Sequence, residues 1–170
     1  FGRSPGRMDR VSGEAIEGGA ATPARLAVYD APLDLASITP QMRENLDDEL
    51  TEVKSENAID RITSTANPRT LERVPAGARF HARFVLDILC QEDAALVPLF
   101  LQGLRLLEDD ALGGGGSRGS GRVRFSDLKL AWRGQDYYAS GAAEKDLSTA
   151  PELGALQTQV RELGSSFLTA

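Results

Sequence analysis

The sequence predicts an α+β fold, on two amphipathic patterns and the glycine-rich loop that follows them. Between residues 79 and 88, apolar side chains alternate with polar ones, which is the period of a half-buried strand. From residues 96 to 107, apolar side chains recur at helical spacing and predict a helix that runs to about Glu108. After the glycines, Val123 and Phe125 alternate with arginines as in a second strand. The predicted order is therefore strand, helix, glycine loop and strand.

Composition indicates one globular domain. The chain has 170 residues, 41% of them hydrophobic and 26% charged, which is enough to bury one core. No apolar run approaches the roughly 20 residues that span a bilayer, and the start has no signal-peptide pattern. The single cysteine, Cys90, and the single histidine, His81, exclude an internal disulfide and an ordinary Cys/His zinc site. We expect a cytoplasmic protein that binds no membrane.

The first third of the chain predicts a loop, a strand and a short helix. Residues 1–23 lack a hydrophobic period and predict a loop. The run from Ala24 to Ala31 holds β-branched and aromatic residues and predicts a strand that ends at Pro32. A short amphipathic helix is predicted after Pro40, because proline favours the first turn. Its apolar side chains at near-helical spacing are Met42, Leu46, Leu50 and Val53.

Weaker signals complete the prediction. Residues 51–75 are polar and carry Asn67-Pro68 as a turn signal, which predicts a projecting hairpin or arm. Asp93 is the candidate N-cap of the central helix, and Ser126-Asp127 indicate a bulge in the strand after the glycines. Beyond Gly134 the chain is expected to be irregular until a terminal amphipathic helix, which either docks on a neighbour or frays. That helix is predicted from Leu153, Leu156, Val160 and Leu163.

Charge is distributed unevenly along the chain. The formal net charge of −6 argues mildly against a nucleic-acid partner, because phosphate binding depends on positive charge. Between residues 118 and 133, however, Asp127 is the one acid among five basic residues, so a polyanion is expected to bind there. The basic residues of this stretch are Arg118, Arg122, Arg124, Lys129 and Arg133.

The glycine cluster fits neither common nucleotide motif. It contains six glycines in the nine positions from 113 to 121 and a match to G-x-G-x-x-G. That fingerprint follows a strand and opens a helix, whereas here a helix is predicted before the loop. A P-loop would need a lysine after Gly119, where Ser120 stands. The open alternatives are a flexible connector and a loop that binds a sugar-phosphate chain through its backbone, serines and arginines.

Several separated motifs resemble one known family. The segment LGGGGSRGSGRVRF, residues 112–125, resembles the glycine-rich loop and following strand of RAMP proteins. Residues 52–63 and 67–80 look like the thumb region of the backbone subunit of type III-A CRISPR effector complexes, subunit three of the Csm complex. The resemblance covers about residues 1–138 and implies an incomplete ferredoxin-like or RRM-like RAMP core with a thumb insertion.

The resemblance also implies a domain plan. Residues 1–170 are expected to form a single RAMP domain whose N-terminal part precedes Phe1. Within it, residues 1–23 are the loop and residues 32–76 hold the helix and the thumb insertion. Residues 77–133 are the strand, helix, glycine loop and strand, and residues 134–170 are a tail with the terminal helix.

The resemblance implies that the protein binds RNA in antiviral defence. The expected partners are CRISPR guide RNA, single-stranded target RNA, further copies of this chain in a filament, and other Csm subunits. The intact family member is an endoribonuclease that uses a divalent metal, with Mg²⁺ expected, but its catalytic aspartate matches no residue here. No catalytic or metal-binding residue is therefore assigned. The alternative is a noncatalytic RNA scaffold or one segment of a fused multidomain RAMP effector.

The expected RNA-binding residues fall in two groups. The glycine loop would hold the guide-RNA backbone, and the thumb would interrupt the guide–target duplex. The loop group is Gly113, Gly114, Gly115, Gly116, Ser117, Arg118, Gly119, Ser120, Gly121, Arg122 and Arg124. The thumb group is Lys54, Arg61, Ile62, Asn67, Arg69 and Arg73. His81 is assigned no chemistry, and Glu56 and Asp60 are expected to pair with Lys54 or Arg61 rather than to act as an acid pair.

Overall fold

The computed structural model describes residues 23–47 and 50–164 and has the predicted α+β composition. The strands are β1 (Leu26–Val28), β2 (Leu33–Asp34), β3 (Glu52–Ile59), β4 (Ala66–Arg73), β5 (Arg79–Phe80), β6 (Phe84–Leu86), β7 (Ser126–Trp132) and β8 (Lys145–Glu152). The helices are α1 (Pro40–Arg43), α2 (Leu96–Asp109), α3 (Gln135–Ser140) and α4 (Leu153–Leu163). None of the helices in these described ranges has the length and apolarity needed to cross a bilayer.

The chain divides into two compact units, Phe1–Val85 and Leu86–Ala170. Among the described residues, the strands pair in four two-stranded sheets, β1 with β6, β2 with β5, β3 with β4, and β7 with β8. The single-domain plan stays a prediction. The loop predicted over residues 1–23 lies outside the described residues except for its last position.

The strand predicted over residues 79–88 forms as two short strands, β5 and β6, which is a correction. In the β2–β5 pair Leu33 lies opposite Phe80, and the His81 N–H donates to the Pro32 carbonyl at 2.9 Å. Because Pro32 has no N–H to donate in return, the ladder is interrupted there. Pairing resumes where the Tyr29 N–H donates to the Arg83 carbonyl at 3.1 Å.

The predicted amphipathic helix is shorter than its apolar pattern suggested. Helix α1 ends at Arg43, after Thr39 caps it by accepting the Met42 N–H at 3.2 Å. Val53, predicted to lie in this helix, belongs to β3, and the Asp47 carboxylate accepts its N–H at 3.0 Å. The described residues 44–47 do not continue the helix, and the Asp47 side chain instead holds the start of β3.

The hairpin predicted over residues 51–75 is confirmed, but its turn lies elsewhere. Strands β3 and β4 pair antiparallel from Glu52 opposite Arg73 to Ile59 opposite Ala66. The predicted turn signal, Asn67-Pro68, lies within β4, with Pro68 opposite Asn57. Both strands of a two-stranded ribbon are edge strands, so a proline without an N–H is tolerated there.

The core of the second unit forms between α2, α4 and the β7–β8 sheet. Leu101 and Leu104 of α2 are buried with one side of α4, and the Gln157 side chain donates to the Leu101 carbonyl at 3.1 Å. The buried side of α4 consists of Leu153, Leu156 and Val160. The terminal helix is thus confirmed, and its apolar side packs within its own unit.

Several predicted details around α2 and β7 need correction. Asp93 does not cap α2 itself, since it accepts the Leu89 and Cys90 N–H groups at 2.9 and 3.2 Å in a 3₁₀ turn before the helix. Strand β7 begins at Ser126, so Val123 and Phe125 lie before it. The register shift of the β7–β8 pair falls between Leu130 and Ala131, not at Ser126-Asp127.

The chain between Gly134 and Leu153 is not irregular, which is a further correction. Helix α3 and strand β8 both form there. Strand β8 has the sequence KDLSTAPE, in which Asp, Pro and Glu are residues that strands disfavour. It adopts a strand because it pairs with β7, with Leu128 opposite the buried Ala150.

Truncation of Leu153 should destabilise the second unit, because this side chain is only 1% exposed. We expect Leu153→Ala to lower the free energy of unfolding by about 3 kcal/mol. Urea denaturation followed by the fluorescence of Trp132, the one tryptophan of the chain, measures this. Leu106→Ala is the control, since Leu106 is 63% exposed and its truncation should change stability by less than about 0.5 kcal/mol. Equal midpoints for both variants would contradict this account of the core.

Candidate nucleic-acid interface

The glycine loop, residues 113–121, is closed by its own hydrogen bonds. At its base the Leu112 N–H donates to the Gly121 carbonyl at 2.8 Å. Inside it, a 3₁₀ turn at Gly116–Arg118 lies between Gly115 and Gly119, both in the left-handed region with φ of +75° and +83°. The structure therefore favours a formed loop over a featureless connector.

Two of the glycines are required by close contacts. A Cβ atom at Gly121 would lie 2.2 Å from the Leu112 carbonyl oxygen, and its φ is +80°. A Cβ atom at Gly116 would lie 2.8 Å from the Cβ of Ala111. Any side chain at residue 121 would therefore push apart the two chain segments, at residues 112 and 121, that close the loop.

The exposed side of the loop presents backbone donors. The N–H groups from Gly113 to Ser117 have no acceptor among the residues that the structure describes, and all of these residues are exposed. The Ser120 N–H, in contrast, donates inward to the Gly115 carbonyl at 3.2 Å. Consecutive unpaired N–H groups near left-handed glycines make a concave site for an anion such as a phosphate.

Positive charge continues from the loop into the segment that follows it. Arg122 and Arg124 are exposed and alternate with the half-buried Val123 and Phe125. Within the described residues neither arginine forms an ion pair, and Arg118 is exposed in the 3₁₀ turn. Arg122 and Arg124 thus keep their charge available to a bound anion.

The other two basic residues of the predicted stretch are neutralised by acids of the β8 region. Lys129 lies 2.8 Å from an Asp146 carboxylate oxygen, and Arg133 lies 2.9 Å from Glu144. The hydrogen bonds to Asp146 and then to Glu144 raise the pKa of Lys129, and that from Arg133 lowers the pKa of Glu144. The Arg133 guanidinium also lies over the Tyr137 ring at 5.0 Å. The available positive charge therefore ends near Arg124.

In the first unit, the hairpin has one charged face. Because cross-strand partners lie on one side of a ribbon and successive residues alternate, Lys54, Asn67, Arg69 and Arg73 share a face with their partners. The Arg69 guanidinium lies 2.8 Å from Glu56, a partner that was not expected for this acid. Arg73 lies 2.8 Å from Glu52 in the same way. We call this side the charged face of the hairpin.

The opposite face of the hairpin is nearly uncharged, with Glu72 as its one ionisable residue. Its members are Val53, Ser55, Asn57, Ile59, Ala66, Pro68, Thr70 and Glu72. All of the predicted RNA-binding residues within β3 and β4 therefore lie on one side.

The tip of the hairpin is shaped by Asp60, which the sequence analysis missed as a turn residue. Its carboxylate accepts the N–H groups of Ile62 and Thr63 at 2.8 and 2.9 Å. The bond from Thr63, then that from Ile62, lowers the pKa of Asp60. Ile62 is thereby presented at the tip with 94% of its surface exposed, next to the exposed Arg61. An aspartate whose side chain bonds the backbone two residues on is a known turn signal.

Candidate metal ligands do not cluster within the described ranges. In residues 23–47 and 50–164, no three His, Cys, Asp or Glu side chains come together in a way that could hold a metal ion.

Known proteins resemble this chain in sequence. Over 146 residues it is 36% identical to a protein named CRISPR system Cms endoribonuclease Csm3 from Methanocaldococcus jannaschii, covering 83% of this chain and 56% of that protein. It is 40% identical over 107 residues to a protein of the same name from Methanothermobacter thermautotrophicus, covering 63% of this chain and 43% of that protein. The chain thus spans about half the length of the curated relatives it matches.

A solved structure and a family model agree with these relatives. The fold is similar to a chain in the crystal structure of the Csm3–Csm4 subcomplex in the type III-A CRISPR-Cas interference complex. The TM-score is 0.54 at 27% sequence identity, over 84% of this chain and 59% of that chain. A family model described as the RAMP superfamily matches residues 9–124, which is more than half of the chain.

Substitution of Gly121 should open the glycine loop. Gly121→Ala places a methyl group against the Leu112 carbonyl, so we expect the Leu112 amide to exchange with solvent at least about ten-fold faster. Gly119→Ala is the matched control, because Gly119 has a similar φ but no atom within 4 Å of a Cβ. Amide hydrogen exchange measures both. Equal exchange of Leu112 in the two variants would show that the clash does not govern loop closure.

Proposed function

This chain belongs to the RAMP superfamily, and on that basis we propose that it binds guide RNA as backbone subunit of a type III-A CRISPR ribonucleoprotein. The observation that carries the proposal is the glycine loop, in which unpaired backbone N–H groups lie beside the exposed Arg122 and Arg124. The names of the curated relatives and the solved Csm3–Csm4 subcomplex support it.

The loop binds the RNA backbone rather than the bases. Its donors are backbone N–H groups, the hydroxyls of Ser117 and Ser120, and the guanidinium groups of Arg118, Arg122 and Arg124. Such donors neutralise and position phosphates without reading sequence. Sequence is then read by base pairing between guide and target, as in other RNA-guided complexes. The protein itself should therefore show little sequence preference.

The hairpin is the second contact with RNA. Lys54, Asn67, Arg69 and Arg73 turn one face toward the phosphates, while Ile62 projects from the tip as an apolar wedge. An apolar side chain inserted between base steps unstacks them. In this proposal the hairpin crosses between guide and target and interrupts their duplex.

The wider assembly belongs to the same proposal. Copies of this chain line a guide RNA as a filament, other Csm subunits join it, and the complete protein cleaves single-stranded target RNA in the cytoplasm. Cleavage in the complete protein uses a divalent metal, Mg²⁺, with an aspartate that no residue of this chain matches. RNA binding is the part of the activity that the described residues carry.

Removal of the loop arginines should abolish most RNA binding. We expect the triple variant Arg118→Ala, Arg122→Ala, Arg124→Ala to bind single-stranded RNA weakly, with a log–log salt slope shallower by about 2, since each neutralised phosphate contributes roughly 0.7. Fluorescence anisotropy across a salt series measures both quantities.

The matched control for this prediction is Lys129→Ala, Arg133→Ala. Both residues belong to the same basic stretch but are already paired with Glu144 and Asp146, so affinity should change less than about three-fold. If the triple variant binds as well as the unmodified chain, the RNA site lies elsewhere.

Neutralising an acid on the charged face of the hairpin should strengthen RNA binding. Glu52→Gln frees the Arg73 guanidinium and removes a negative charge from the face that meets phosphates, so we expect about three-fold higher affinity at low salt. Glu72→Gln makes the same charge change on the opposite face and should leave affinity within about 1.5-fold. Anisotropy at two salt concentrations separates the variants. An equal gain for both would show that only net charge matters.

A further inference from the structure

Glu108 makes two contacts at the base of the glycine loop. One carboxylate oxygen, Oε1, accepts the backbone N–H of Phe125 at 2.8 Å. The other, Oε2, accepts from Nη1 of Arg105 at 2.9 Å. Only 10% of the Glu108 side chain is exposed, against 56% for Arg105. The carboxylate is thus enclosed between helix α2 and the segment that enters β7.

The position of Glu108 in its helix is unfavourable for an acid. It lies in the last turn of α2, which ends at Asp109, where the helix dipole favours cations. The pair with Arg105 is an ordinary i, i+3 helix pair of the kind that stabilises a helix only slightly and needs no burial. Helix stability therefore does not explain why a buried acid occupies position 108. The remaining contact that can explain it is the hydrogen bond from the Phe125 N–H.

The hydrogen bond between Glu108 and Phe125 is a second closure of the loop, outside the first. The first closure is the backbone hydrogen bond between Leu112 and Gly121, and residues 108 and 125 flank it on either side. Arg122 and Arg124 lie on the chain between the two closures. Their backbone is therefore held at both ends, which restricts where the two guanidinium groups can lie.

We propose that Glu108 is a positioning residue for RNA binding, which holds the Arg122–Arg124 segment in place through the Phe125 N–H. The inference rests on the proposed function of the glycine loop. It assigns a role to a negative charge that, by electrostatics alone, would oppose RNA binding close to the loop. Length and hydrogen-bond acceptance at position 108 matter in this role, and the charge does not.

Two substitutions at position 108 separate positioning from electrostatics. Glu108→Gln removes the charge but keeps an oxygen that reaches the Phe125 N–H, whereas Glu108→Asp keeps the charge on a side chain one methylene shorter. Positioning predicts that the Gln variant binds single-stranded RNA within about three-fold of the unmodified chain and that the Asp variant binds about ten-fold more weakly. A purely electrostatic role predicts unchanged binding for Asp and tighter binding for Gln.

Asp109→Asn is the matched control for the Glu108→Gln charge change. Asp109 is the next residue and is exposed, and its side chain makes no hydrogen bond or ion pair among the described residues. Its neutralisation reports what a charge change near the loop does by itself. Retained Trp132 fluorescence and an unchanged urea midpoint confirm that each variant is folded.

A measurement without RNA distinguishes a failure of the positioning role of Glu108 from a failure of the proposed RNA site at the glycine loop. We expect the amide of Phe125 to exchange faster in the Asp variant than in the Gln variant, because only the latter keeps its acceptor. If Glu108→Asp binds RNA and exchanges like the unmodified chain while the triple arginine variant loses RNA, the positioning role is wrong and the RNA site stands. If the triple arginine variant also binds normally, both proposals are wrong.

Discussion

The hydrogen bond between the Leu112 N–H and the Gly121 carbonyl is the contact on which the candidate interface depends. It forms only because residue 121 has no Cβ, and it sets the two ends of the loop, whose exposed residues from Gly113 to Ser117 have N–H groups without an acceptor among the described residues. The same closure determines where the chain leaves the loop, and hence where Arg122 begins. Loss of this one bond would affect backbone donors and guanidinium donors together.

Net charge and local charge act differently in this molecule. The chain carries an overall charge of −6, yet Arg122 and Arg124 beside the glycine loop have no acid partner among the described residues. Acids of the β8 region instead neutralise Lys129 and Arg133, which concentrates the available positive charge on a short segment. An acidic protein of this kind repels polyanions in general and attracts them where positive charge is locally in excess, which favours a specific docking geometry over diffuse binding.

How far the sequence predicts the structure depends on where the determining contacts lie. Helix α4 was predictable because its apolar pattern repeats over several turns. The hairpin was predicted from the polarity of residues 51–75 and from Asn67-Pro68, which lies within β4 and not at the turn. Strand β8 was not, since it forms through pairing with β7 and its own composition opposes it. The role of Arg122 and Arg124 as candidate phosphate ligands was predictable, because they directly follow the glycine loop in sequence. The ion pair of Arg133 with Glu144 was not, because Glu144 lies on a separate segment that local sequence patterns do not reveal.

The separation of the hairpin into a charged and an uncharged face has a consequence for how its length can change. Side chains alternate along a strand, so adding or removing a single residue in β3 or β4 exchanges the two faces beyond that point. If one residue is added or removed in both strands at opposing positions, the pairing register is kept. The charged and uncharged faces are nevertheless exchanged beyond that position. Insertions of two residues per strand preserve both the pairing and the faces. Relatives with longer or shorter hairpins are therefore expected to differ in steps of two residue pairs, about one full pleat of the ribbon at a time.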